Sequence, residues 1–204
     1  LELLIMNFID HLSRSGTAML LWSISLGALL MSPPAAGRGI AIPEVRSGRA
    51  TLHQQGRLTV LEIKASSGVL QRIGLTHPSD YLQTANPPND AELIAESPGH
   101  FLIFTDSFVS NPGNVQGNCG APGEEERFVH VVALGAIPHE TLSVLMSSCL
   151  SLLVASSRSP EWIAETDSAN FAGRIVMSFD GSPSVSYYVA RDGAVTRPEV
   201  EEHR

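Results

Sequence analysis

The sequence predicts a mainly β, antiparallel domain (or a β-dominated α+β one) closed by one disulfide, and three observations carry that prediction. Short apolar runs, several of them alternating, are separated along most of the chain by clusters of Gly, Pro, Asn and Asp. The most strand-like run, residues 127–134, is apolar on both faces apart from His130. The only two cysteines, Cys119 and Cys149, flank that run and suggest a staple across it.

At 204 residues the chain is long enough for one single compact domain with a real core and short of two full ones. Cys119 and Cys149 have no CxxC neighbour and no histidine at ligand spacing, which argues against zinc and for a structural disulfide. Closing a loop of about 30 residues would add on the order of 3–4 kcal/mol in the loop-entropy estimate. Such a bond persists only in an oxidising compartment, so the staple implies export.

The N-terminal stretch agrees with export. Met6 is a plausible true start, Arg14 lies in a short polar region, and an apolar run covers residues 17–31. That run is shorter than the ~20 residues a spanning helix needs. Ala35 and Gly37 are small residues suited to cleavage after Gly37. Residues 1–37 therefore read as a signal peptide, 38–50 as a linker, 51–197 as the β-rich domain and 198–204 as a flexible tail. The expected location is periplasmic or secreted, with no integral membrane span after cleavage.

Within the domain, residues 58–63 and 69–75 read as strands, and a proline-rich zone follows from His77 to Asp90. Residues 91–96 and 101–105 flank Pro98 and Gly99, which is good hairpin chemistry. The density of Leu102, Ile103 and Phe104 suggests a central strand covered on both faces. Residues 141–155 fit both a helical stripe and a strand face; middling helix formers and a β-rich context favour strand. Residues 171–179 and 185–190 alternate around a turn at 180–183, and Asp192-Gly193 marks another hairpin.

The longest irregular stretch, residues 110–123, is rich in Gly and Asn. Asn111, Asn114, Asn118 and Gly120 are its candidate recognition residues, because function concentrates on loops fixed by a scaffold. No Gly-Lys-Ser/Thr follows, so it is no phosphate loop, and the ligand pattern of a calcium loop is missing. Glu124, Glu125 and Glu126 read as a solvated acidic turn, and Glu161 with Glu165 as an acidic helix face.

Net charge is −8 and Lys64 is the only lysine, which excludes the basic footprint that nucleic-acid binding requires. His139-Glu140 begins like a zinc-protease motif, but Ser143 stands where the second histidine belongs. There is no Gly-x-Ser-x-Gly elbow. The sequence thus predicts no catalytic residues, no metal and no cofactor. Export, acidity and missing catalytic motifs point to a protein-binding module of the inhibitor or immunity type, with a basic protein as partner. The alternatives are a cell-envelope hydrolase using His130, His139 and Asp106, and a structural envelope component.

Overall fold

Alternation of apolar and polar residues sets the architecture, because it decides which face of each strand is buried. The computed structural model describes residues 39–46, 48–56, 58–77, 88–109, 125–148, 153, 155–157, 159–180, 182–196 and 199–201, all within the unit Ala35–Arg204. Three antiparallel four-stranded sheets follow one another along the chain. The first holds β1 (Ile40–Ile42), β2 (Gly48–Gln55), β3 (Leu58–Ala65) and β4 (Leu70–Leu75) in sequence order. The second holds β5 (Asp90–Ser97), β6 (Phe101–Val109), β7 (Glu125–Ala133) and β8 (His139–Ser147), again in order. The third is ordered β12-β11-β10-β9, from β9 (Glu161–Ala164), β10 (Phe171–Phe179), β11 (Ser182–Ala190) and β12 (Glu199–Glu201).

The second sheet is central. β6 and β7 are buried along almost their whole length, as their continuous apolar composition requires. Their register joins Leu102 to Val132 and Phe104 to His130, so even-numbered residues of both strands share a face. Leu102, Phe104 and Val132 pack with Leu52, Leu61, Ile63, Ile73 and Leu75 of the first sheet. Phe101, Ile103, Val129 and Val131 pack on the opposite side with Ile175, Met177 and Val189 of the third. Two cores thus form on opposite faces of one sheet.

The expected hairpins are present. Gly99 turns β5 into β6 at φ 75°, where His100 N donates to Ser97 O over 2.9 Å. Gly193, at φ 89°, closes the last turn through its bond to Ala190 O. The stretch from 141 is strand as far as Ser147, in β8.

Several expectations are corrected. No disulfide is found among the described residues, and Cys119 and Cys149 both lie outside them. Apolar packing on both faces of the central sheet takes the place of the expected staple. Residues 38–50, read as linker from their Gly, Pro and Arg content, contain β1 and the start of β2, because Ile42 and Ala50 supply a buried face. Charged residues in the tail form β12, paired antiparallel to β11. Glu125 and Glu126 belong to β7 rather than to a solvated turn, and Glu126 is buried, receiving the Ser148 hydroxyl. Glu161 lies in strand β9, not on a helix.

Candidate functional site

The face that β6 and β7 turn toward the first sheet is apolar until Asp106 and His130 interrupt it. Both are fully buried as side chains. His130 sits directly opposite Phe104, and Asp106 opposite Phe128. Asp106 and His130 are diagonal neighbours on this face, within reach for a long side chain. His130 Nε2 lies 3.1 Å from Asp106 Oδ1. The other carboxylate oxygen, Oδ2, is 2.9 Å from Nε2 of His77, two residues beyond β4 of the first sheet.

On its other side His130 meets β8. Its Nδ1 lies 2.7 Å from Glu140 Oε1. A β-bulge makes this contact possible. His130 pairs with Ser143 and Val131 with Leu142, but Val132 pairs with Glu140, leaving Thr141 as the extra residue. Without the bulge Glu140 would point to the face of Leu142, away from His130. Thr141 in turn donates its hydroxyl to Gly193 O at 2.7 Å, which anchors the bulge to the final turn of the chain.

Glu140 also reaches the first sheet. Its Oε2 accepts from the Thr76 backbone N over 2.9 Å and from the Thr76 hydroxyl, while Ser143 donates its hydroxyl to Thr76 O. Both polar groups of the Thr76 backbone are therefore satisfied by side chains of β8. Aromatic rings enclose the rest. Phe104 stacks on His130 with centroids 5.1 Å apart, and His77 meets Phe108 and Phe128 edge-on, each at 4.8 Å.

The carboxylates only accept, so His130 donates from both ring nitrogens and carries positive charge in this arrangement. Burial opposes that charge, but the charge of Asp106, its hydrogen bond and then Glu140 outweigh it and raise His130 to about 9. Burial likewise works against the Asp106 carboxylate. The His130 charge and hydrogen bond, followed by His77, overcome it and hold Asp106 at about 2. Each shift is one view of the same ion pair.

His77, Asp106 and His130 each offer a metal-ligating atom, and the three atoms lie within 4.8 Å of one another. None of these residues has ligand spacing in the sequence; they are 29 and 24 positions apart and meet only through strand register. His77 and Glu140 are the members that sequence reasoning missed. The one signal for Glu140 was the failed zinc-protease motif, in which Ser143 replaces histidine and binds Thr76 instead. Of the three residues named for a hydrolase, Asp106 and His130 converge. His139 does not: it is exposed, with its ring bonded to the nearby Ile137 O. Asn111, Asn114, Asn118 and Gly120 lie outside the described residues.

Compared with protein-family models, curated proteins and solved structures, the chain matches none. The picture of an exported, disulfide-stapled binding or inhibitor module is corrected accordingly. It rested on a disulfide that the structure does not contain among its described residues and on a signal peptide, residues 1–37, that lies outside them, and neither it nor the hydrolase and structural alternatives gain support from any relative. Among the described residues no helix is long and apolar enough to cross a membrane.

Proposed function

We propose that this domain binds a divalent transition-metal ion through His77 Nε2, the Asp106 carboxylate and His130 Nε2. The observation that carries the reading is the mutual approach of these three ligand atoms, all within 4.8 Å, two of them on buried residues and the third on half-buried His77. Ligands about 2.0–2.1 Å from a tetrahedral ion stand about 3.3 Å apart. Each histidine Nε2 already stands near that distance from an oxygen of the Asp106 carboxylate, His77 at 2.9 Å from Oδ2 and His130 at 3.1 Å from Oδ1. Two imidazoles and one carboxylate suit Zn2+ and its transition-series neighbours better than Mg2+ or Ca2+, which prefer oxygen alone. Entry of the ion exchanges it for the Nε2 protons that now hold both histidines to Asp106.

Calorimetric titration of chelator-treated protein with Zn2+ tests the reading. One ion per chain is expected, with binding lost in His77→Ala. His77 sits at the edge of the cluster, where its side chain is 9% exposed, so this variant keeps the central pair. Circular dichroism confirms that it remains folded. Failure of the folded wild type to bind Zn2+, or undiminished binding by the variant, would leave the cluster as a proton-held core network.

A further inference from the structure

A single carboxylate touches both halves of the proposed metal site. Glu140 Oε1 receives the His130 Nδ1 proton at 2.7 Å, while Oε2 receives the backbone N–H of Thr76 at 2.9 Å together with its hydroxyl. Thr76 is the residue immediately before His77. Glu140 thereby orients one histidine ligand directly and the other through the peptide that carries it. The two ligands come from different sheets, since His130 belongs to β7 and His77 follows β4.

We infer that Glu140 is the positioning residue of this site: it fixes His130 as the tautomer that offers Nε2 to the ion, and it holds His77 in reach. The inference rests on the metal reading. Its physical basis is the count of acceptors. A carboxylate has an acceptor at each end, and both are used here in opposite directions. An amide of the same shape has one acceptor oxygen and one donor nitrogen. In Glu140→Gln, either His130 or Thr76 therefore faces a donor and loses its partner. Outer-shell partners of metal-bound histidines change affinity by about 10–100-fold when removed.

The test compares Co2+ binding by the wild type, Glu140→Gln and His139→Ala, each checked for folding. The wild type is expected to bind, Glu140→Gln to bind about 10–100-fold more weakly with an altered visible absorption spectrum, and His139→Ala to match the wild type. A residue that merely clasped two sheets would leave the affinity of the folded protein and the Co2+ spectrum unchanged. That result would overturn the role of Glu140 while leaving the metal site intact. If the wild type itself does not bind, both readings fall. Nitrogen NMR of the Zn2+-loaded wild type needs no substitution, so it decides the matter even if Glu140→Gln does not fold. The expected state has the ion on Nε2 of His130 and a proton on Nδ1, whereas an ion on Nδ1 would overturn the inference.

Discussion

Replacing Asp106 by asparagine keeps the shape of the side chain and removes the charge at the centre of the cluster. His130 stands at about 9 against an ordinary 6.5, which corresponds to about 3 kcal/mol of native-state stabilisation near and below neutral pH. Glu140 supplies part of this and Asp106 the larger part, so Asp106→Asn should cost about 2–3 kcal/mol at pH 6. Both groups are fully buried, so solvent screening does not reduce the figure. The pH dependence follows from the directions of the shifts. His130 is raised, so its contribution is complete below about 6.5 and fades as pH rises through about 9. Asp106 is lowered, so its contribution is complete above about 4 and fades as pH falls through about 2. The stabilisation from this pair is therefore full between those limits, and the gap between wild type and variant should narrow by pH 10. Urea unfolding at pH 6 and pH 10, with a chelator present and circular dichroism as the probe, measures both quantities. A gap of equal size at the two pH values, or one below about 0.5 kcal/mol at pH 6, would refute the ion-pair account.

Two further substitutions test the packing around the site and the strand geometry behind it. Phe104→Ala removes a fully buried ring that covers His130 and fills the core between the first and central sheets, and should cost about 3–5 kcal/mol in urea unfolding. Gly173→Ala places a methyl group 2.5 Å from Ile163 O and 2.5 Å from the Trp162 ring, so β9 must shift away from β10. A loss of about 1–3 kcal/mol and a change in tryptophan fluorescence are expected; a neutral result would mean that this edge moves freely.

The strands were legible in the sequence where apolar runs alternate or continue without a break. The runs at 58–63, 101–105, 171–179 and 185–190 fall within observed strands, the run at 127–134 passes the end of β7 by Leu134 alone, and Gly99 and Gly193 stand at their turns. Less legible was strand formation by polar segments. β2 reads Gly-Arg-Ala-Thr-Leu-His-Gln-Gln, and only Ala50 and Leu52 betray a buried face. The candidate site was half legible. His130 stood out as a lone imidazole on an apolar strand, and the structure places it in the core with both ring nitrogens hydrogen-bonded. Its partners were hidden for two reasons. His77 arrives from another sheet, whose docking no local pattern encodes. Glu140 lies three positions from Ser143, an odd separation that puts the two on opposite faces of a regular strand, and only the bulge at Thr141 reunites them.

The cost of the cluster bears on what it is for. Aliphatic and aromatic residues would fill the space beneath the first sheet, as Leu102 and Val132 do on the same face. Exchanging buried ion pairs for well-packed apolar groups is often neutral or stabilising, so stability supplies no reason to place His130, Asp106 and Glu140 there. Their arrangement is also more specific than charge balance requires. Each nitrogen of His130 has its own carboxylate, and each oxygen of Asp106 faces a different histidine. Glu140 divides its two oxygens between His130 and Thr76 in the same manner. An imidazole held by a carboxylate at its far nitrogen, with its near nitrogen turned toward a second carboxylate and a second imidazole, is the geometry that prepares a histidine for a metal ion. The bulge at Thr141, anchored by its hydroxyl to Gly193 O, is what brings Glu140 onto the face of His130.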